Sequence, residues 1–457
     1  MPYDMIENLY WGKELQFGYA KHPPLFAWVS YFFYKLCFSW PESLYFLTQL
    51  NLVLGFYFIF KISELIFKDK TKSYAAILIF MASIGSVFGN EKFNATTILM
   101  SLFPAMFYFF IRMLKFNKYS DAIAFGIFCA LAVVGKYFAL LYIACVGLFL
   151  ILNKECRKFF KTPQIYVAAG VFLICVSWHV VWMFENDLIT LKYAFDKTAA
   201  QSRLSAFNFL AMQTLFSATS FFAVAYACKG KIKLWPDEWS KISLEEKFII
   251  FITIAPNVLL FLVSLATGMR IGSFWGANMF TTGGVYLLIV NKNLDFDRLF
   301  VFVKRITTFF AAVLFIKLGV ARVLLKEYDP TNAIDIRKIS RKMDEDWRAN
   351  FGDQKMKIIA TDKALAALHI HLKDSPSYYD VKNLRIYSDG DSFPTDETVV
   401  VAFLSRRRCE KDAARSSSVI FDDDARRRVL FENKIRVIGD YFVYYAFVNT
   451  AHNNERN

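Results

Sequence analysis

Asp4 and Glu7 stand three residues apart in Tyr-Asp-Met-Ile-Glu, a spacing that puts both carboxylates on one face if the stretch is helical. Their neighbours Met5, Ile6 and Leu9 are apolar and favour a neutral carboxyl, the direction that suits a general base. The same spacing also fits a helix start in which Asp4 caps and Glu7 takes the third helical position. Lys21-His22-Pro23-Pro24 follows a Gly-Tyr pair, and Pro-Pro stiffens the loop around an ammonium and an imidazole. That pairing suits an anion, a phosphate above all, although an interfacial lysine reaching for lipid headgroups would look the same. Lys136 sits inside Ala-Leu-Ala-Val-Val-Gly-Lys-Tyr-Phe-Ala-Leu-Leu, where a charge in lipid is costly unless it faces a cavity or partner. Arg270 lies between two apolar runs, among Gly268, Gly272 and Gly276, which permit close backbone approach. His179, a lone histidine among tryptophans, reads as a hydrogen-bonded core residue and stays outside the candidate site. No metal-ligand spacing is present; a divalent metal is the one cofactor the two carboxylates could recruit.

The elements that must position these residues are apolar. The chain has 457 residues, 56% of them hydrophobic, and a mean hydropathy of +0.33, which excludes an ordinary soluble domain and marks a polytopic membrane protein. The net charge of +14 lies largely in short loops between apolar runs, so it speaks for membrane orientation rather than nucleic acid. Spanning helices are expected at 43–66, 73–89, 96–114, 165–185, 208–228, 247–267, 273–290 and 300–321. The run 121–152 is too long for one pass and reads as a hairpin with Gly135-Lys136 at its middle. With that hairpin, the basic loops at 68–72, 112–118, 154–161, 229–233 and 292–305 fall on one face, cytoplasmic by the positive-inside tendency. Asp4, Lys21, Lys136 and Arg270 then share the opposite face. Ala27 to Trp40 is too short to span and reads as interfacial or re-entrant.

About ten spanning helices result, and their parity predicts a further helix upstream of Met1, which no signal peptide replaces. The expected division is a membrane domain over 1–325, with its catalytic loop in 1–40, and a small α/β domain over 326–457 on the outer face. In the tail, helices are expected at 332–351 and 362–371 and strands at 357–360, 399–404 and 441–448. The arginine triplets 406–408 and 426–428 around Asp422–Asp424 read as a mixed-charge surface. The seven cysteines contain no Cys-x-x-Cys pair and define no disulfide framework.

Asp4-Met-Ile-Glu7, Gly18-Tyr-Ala-Lys-His-Pro-Pro-Leu-Phe-Ala-Trp28, Gly135-Lys-Tyr137, Trp178-His-Val-Val-Trp-Met-Phe-Glu-Asn186 and Ser273-Phe-Trp-Gly276 resemble the bacterial glycosyltransferase family 39 and aminoarabinose-transferase-like proteins. The resemblance implies a GT-C fold, a polyprenyl-phosphate-sugar donor and a cell-envelope glycolipid acceptor such as lipid A or lipopolysaccharide core. It implies a multi-pass protein of the bacterial inner membrane, with its site and C-terminal domain on the periplasmic face. Asp4 would activate the acceptor with Glu7 as its neighbour, and Lys21 and Lys136 would face the donor phosphate, beside His22 and Arg270. This chain departs from the usual adjacent Asp-Glu and Lys-Pro-Pro; its Gly-Tyr-x-Lys-His-Pro form resembles relatives that use uronic-acid donors. A single base attacking in line predicts inversion at C1. The rival readings are a transporter or flippase of an anionic lipid, with Lys21, Lys136 and Arg270 along its path, and a membrane scaffold.

Overall fold

The computed structural model describes residues 1–88, 91–199, 202–276, 278–323, 334–380, 398–406, 428–438 and 441–449. It divides into two compact units, Trp11–Ala311 and Met1–Tyr10 with Ala312–Asn457.

The larger unit is helical. After α1 (Tyr3–Glu14), which contributes residues to both units, come α2 (Leu25–Leu36), α3 (Ser43–Phe67), α4 (Lys70–Met81), α5 (Ile84–Phe88), α6 (Leu99–Phe116), α7 (Tyr119–Gly135) and α8 (Ala139–Leu152). Then follow α9 (Pro163–Glu185), α10 (Ile189–Thr198), α11 (Leu204–Ala227), α12 (Leu244–Thr267), α13 (Gly283–Val290) and α14 (Phe296–Val323), the last of which, like α1, has residues in both units. Among the described residues, six helices are long and apolar enough to cross a membrane: α3, α6, α9, α11, α12 and the 296–316 part of α14. Large side chains such as Leu173, Ile174, Phe184 and Phe222 are exposed on them, as lipid-facing positions must be. The chain is a multi-pass membrane protein.

Local chemistry sets the helix ends. Asp69 caps α4 by accepting from the amides of Thr71 and Lys72 at 2.8 and 3.3 Å. Ser243 and Glu246 close a capping box at the start of α12, and Gly268 ends it with a positive φ of 74°. The hairpin expected over 121–152 is present as α7 and α8, 17 and 14 residues long. Those lengths reach roughly 26 and 21 Å, so a hairpin rooted at one membrane surface brings its tip short of the other.

Two expected spans are different in the structure. The 73–89 run is interrupted at Ala82 and Ser83 between α4 and α5; the Thr219 hydroxyl donates to the Ala82 carbonyl, and the Ser83 hydroxyl accepts from the Ser86 amide at 3.1 Å. The 273–290 run is not one helix: a 3₁₀ turn at Ser273–Gly276 is followed by turns, and α13 has only eight residues. Its glycines serve close approach rather than helix propagation, since a Cβ on Gly284 would lie 2.0 Å from the Ala76 carbonyl oxygen of α4.

The smaller unit contains a five-stranded mixed sheet, β1 (Ile358–Thr361), β2 (Ser377–Asp380), β3 (Thr398–Arg406), β4 (Arg428–Ile438) and β5 (Tyr441–Asn449), in the order β2-β1-β3-β5-β4. β1 is parallel to β2 and β3, and β5 is antiparallel to β3 and β4. α15 (Ile336–Phe351) buries Ile339, Met343 and Trp347, four residues apart, in one core with Val400, Val443, Tyr445 and Phe447. The helix expected over 362–371 is only the turn α16 (Leu368–His371). β2 and β4 were not expected: β2 is four residues long, and β4 mixes charged and apolar residues. Arg407, Arg408, Asp422–Asp424, Arg426, Arg427 and Cys409 lie outside the described residues.

Two carboxylates on α15 titrate in opposite directions. Burial works to raise Asp346, but hydrogen bonds from Tyr445 (2.5 Å), Lys342 and Asn433 (2.8 Å) outweigh it and hold it below the ordinary range. Asp344 is raised by burial, against the Lys373 amide that it accepts from. A lowered folded value stabilises above the unfolded pKa and is lost as pH falls through the folded one; a raised value acts oppositely, its cost growing as pH rises through the unfolded pKa. Asp346→Asn is therefore expected to destabilise this domain by roughly 1–3 kcal/mol at pH 7 and progressively less as pH falls below about 4. Asp344→Asn should be neutral or stabilising at pH 7, both read from the domain's calorimetric transition.

Candidate active site

The candidate residues fall in three places. Asp4 and Glu7 lie on α1, half-buried and three residues apart on one face, as their spacing requires. The Pro2 carbonyl accepts from the amides of Met5 and Ile6 at 3.0 and 3.3 Å, so Pro2 is the N-cap and Asp4 lies inside the first turn. The capping-box alternative is thereby removed, and the amino end of the helix favours negative charge at Asp4. Within the same unit, the Lys363 ammonium lies 5.0 Å from the Tyr3 ring centre, and Tyr10 meets His369 and Tyr378 edge-on at 6.0 and 5.6 Å. The opening turns of α1 are thus packed on α16 and β2.

Lys21 and His22 lie on a tight turn in which Tyr19 and His22 exchange backbone hydrogen bonds of 3.1 and 3.2 Å. Trp11 stacks on Tyr19 at 5.1 Å, the Tyr19 hydroxyl donates to the Trp11 carbonyl, and the Lys21 ammonium sits 5.7 Å over the Trp11 ring. His22 is held edge-on by Trp11, Phe26 and Tyr193. Gly18 belongs to the same construction, because a Cβ there would strike the Trp182 ring at 2.2 Å.

Lys136 ends α7 in extended backbone and is buried, 9% exposed. Its ammonium donates to the Thr96 hydroxyl at 2.6 Å and lies 5.9 and 5.7 Å from the ring centres of Phe138 and Trp275. Thr96 is itself fixed: its amide donates to the Asn94 side chain at 2.9 Å, and its carbonyl accepts from Asn278. One residue on, the Thr97 carbonyl accepts from the buried Asn51 amide of α3 at 2.7 Å, and Asn51 also accepts from the Ser101 hydroxyl at 2.6 Å. A polar chain thus runs from the interior of α3 to the lysine. Arg270 is exposed on the turn after α12, where its amide donates to the Thr198 carbonyl at 3.0 Å. Among the described residues no contact joins Arg270 to Lys21 or Lys136.

His179 belongs with this group, contrary to its exclusion on sequence grounds. It is buried on α9, its Nδ1 2.7 Å from the Phe17 carbonyl and its Nε2 2.7 Å from the Tyr137 hydroxyl. A carbonyl only accepts, so Nδ1 donates to Phe17, while Nε2 shares a hydrogen bond with the Tyr137 hydroxyl, which also reaches Met183 Sδ at 3.1 Å. One imidazole therefore ties the loop before Lys21 to the residue after Lys136. Thr96 and Asn278 were also missed; uncharged polar residues in apolar surroundings give no signal until their partners are known.

Between α11, α12 and residues 276–286 lies a cavity of about 510 Å³, mostly apolar, lined by Gln213, Phe221, Asn257, Phe261, Met279 and Tyr286 among others. Among the described residues, no three His, Cys, Asp or Glu side chains come together as a metal-ligand set. His179→Phe keeps a ring and removes both hydrogen bonds. It is expected to cost roughly 1–3 kcal/mol and to accelerate hydrogen exchange at the Tyr19 and His22 amides, read by mass spectrometry. Unchanged exchange there would show that packing alone holds the loop.

Residues 21–182 match the sequence profile of the family described as dolichyl-phosphate-mannose-protein mannosyltransferase, a stretch that contains Lys21, His22, Lys136 and His179. No curated protein matches the chain in sequence. The crystal structure of ArnT from Cupriavidus metallidurans bound to undecaprenyl phosphate is similar with a TM-score of 0.67 and 10% identity, over 97% of this chain and 93% of that one. ArnT from the same organism in the apo state gives 0.60 and 11%, with the same coverage. Residues 21–182 thus resemble that mannosyltransferase family in sequence, and the chain as a whole shares the fold of the two ArnT structures.

Proposed function

We propose that this chain is an inverting membrane glycosyltransferase that moves a sugar from a polyprenyl-phosphate donor to a cell-envelope glycolipid, lipid A or lipopolysaccharide core, on the periplasmic face. The observation that carries this reading is Lys136: a buried ammonium, aimed by Thr96 and flanked by Phe138 and Trp275, at the tip of a membrane hairpin. The similar ArnT structure was solved with undecaprenyl phosphate, and the matching family is described by a dolichyl-phosphate sugar. Both are isoprenoid phosphates. The apolar cavity between α11 and α12 offers such a chain a lined place.

In the reaction the acceptor hydroxyl oxygen forms a bond to the sugar C1 as the C1–O bond to phosphate breaks. The bonding pair leaves with the phosphate, whose negative charge grows in the transition state. Lys136 and Lys21 stabilise that charge differentially, His22 and Arg270 add to the positive field, and Asp4 takes the acceptor proton with Glu7 beside it. Displacement by a single in-line attack inverts C1. In this reading residues 1–325 form the membrane domain, and residues 326–457 form an α/β domain on the periplasmic side.

The test is transfer of radiolabel from a polyprenyl-phosphate-sugar pool to envelope lipid in membranes. Asp4→Asn is expected to lower turnover by about a hundredfold or more, and Lys136→Gln by about 10²–10³-fold, with insertion unchanged. Turnover by Asp4→Asn at the parent rate would remove the base assignment. An inserted parent that transfers nothing, with donor and acceptor verified present, would sink the enzyme reading itself.

A further inference from the structure

A second cavity, of about 560 Å³, lies at the end of α11 and the start of α12, between that connection and residues 289–293. Its lining includes Lys231, Lys233, Lys241 and Lys292 against Asp237 and Glu238, so four cations and two carboxylates leave an excess of two positive charges. Both carboxylates are already engaged, Asp237 with Lys233 and Glu238 with Lys241, each at 2.6 Å. Lys231 and Lys292 have no ion-pair partner among the described residues.

The cavity is built, not a chance gathering of mobile lysines. Buried Asn291 accepts from the Lys233 amide at 2.8 Å and donates to the Lys233 carbonyl at 3.0 Å, much as a neighbouring strand would. The Tyr286 hydroxyl donates to the next carbonyl, Leu234, at 2.5 Å. The loop backbone is therefore fixed from α13 before any ligand arrives. Beside it, Leu234, Trp235 and Trp239 are exposed, and the two indoles stack at 5.1 Å and 8°. The loop joins two spanning helices, so it lies at the membrane surface, where tryptophan sits at headgroup depth.

The geometry points to a binding site for the phosphate headgroup of an anionic phospholipid, with Lys231 and Lys292 on the phosphate oxygens and the Leu234-Trp235-Trp239 rim against the acyl chains. A phosphate is the shared chemistry, and the apolar rim is what selects a lipid over a soluble phosphate. The site uses none of Asp4, Glu7, Lys21, His22, Lys136 or Arg270, and it shares only Leu234 and Tyr286 with the lining of the first cavity.

The experiment is native mass spectrometry of the full chain in detergent, titrated with phosphatidylglycerol or phosphatidylcholine, with inorganic phosphate and glycerol 1-phosphate as competitors. The parent is expected to retain phosphatidylglycerol preferentially, and Lys231→Gln with Lys292→Gln to weaken this on the order of tenfold. Lys231→Arg with Lys292→Arg should keep it, as should Lys118→Gln with Lys154→Gln, which removes the same charge from exposed positions outside the cavity. Undiminished retention in the first variant, or equal loss in the Lys118 and Lys154 control, would overturn the site. Displacement by inorganic phosphate as effective as by the lipid would overturn the lipid assignment.

Discussion

A lysine at the tip of an apolar hairpin must be solvated by protein, because lipid will not solvate it, and this requirement organises the middle of the membrane unit. At the centre of a spanning helix a charge costs roughly 3 kcal/mol on insertion scales, and α8 is too short to lift Lys136 clear of the hydrocarbon on its own. The Thr96 hydroxyl answers that demand, and everything that fixes Thr96 follows from it: the Asn94 turn, the Asn278 donor and the buried Asn51 of α3 that holds the adjacent carbonyl. Each of these amides would itself be costly in lipid if unpaired. Their mutual satisfaction turns separate liabilities into one rigid polar seam.

His179 solves a related problem with a neutral group. The two loops that carry Lys21 and Lys136 are far apart in sequence and rich in glycine, proline and aromatics, with little regular structure of their own. One imidazole, donating to Phe17 and hydrogen-bonded to Tyr137, holds both while Trp182 stacks on its ring at 5.8 Å. The aromatic packing around Trp11, Tyr19 and His22 then restricts the short turn without charge. Position is supplied by neutral contacts, and the cations are left to set the field.

What the sequence made legible was what hydropathy and charge control. The paired helices α7 and α8 around Lys136 followed from a run too long for one pass and too short for two. α15 followed from apolar positions four apart, and β5 from its aromatic and β-branched content. The failures lie where tertiary contact overrides pattern. Residues 273–290 are apolar enough to span but too glycine-rich to stay helical, and Gly284 is used to approach Ala76. β4 reads as polar because charged residues interrupt its apolar ones, and only its pairing with β5 makes it a strand. Among the candidate residues, Lys136 was visible because charge in lipid is conspicuous. Thr96, Asn278 and His179 were not, since a neutral polar side chain declares itself only through a partner distant in sequence. Arg270 shows the converse: conspicuous by charge, it lies exposed on its turn.

The first ten residues carry the last constraint. Tyr3 meets Lys363, and Tyr10 meets His369 and Tyr378, so the start of the chain is packed against its final third. Contacts over so long a separation are inexpensive once the intervening chain is folded, because closure entropy grows only with the logarithm of loop length. The consequence is that the helix carrying the two carboxylates is packed through Tyr10 on α16 and β2, elements that no local reading of Tyr-Asp-Met-Ile-Glu could supply. Those elements rest in turn on Asp374, which receives Arg348 through two bonds of 2.7 and 2.8 Å and the Met356 amide at 2.8 Å, fixing the entries to β1 and β2. The opening of α1 and the sheet of the smaller unit are thus one packed body, held together at Tyr3 and Tyr10.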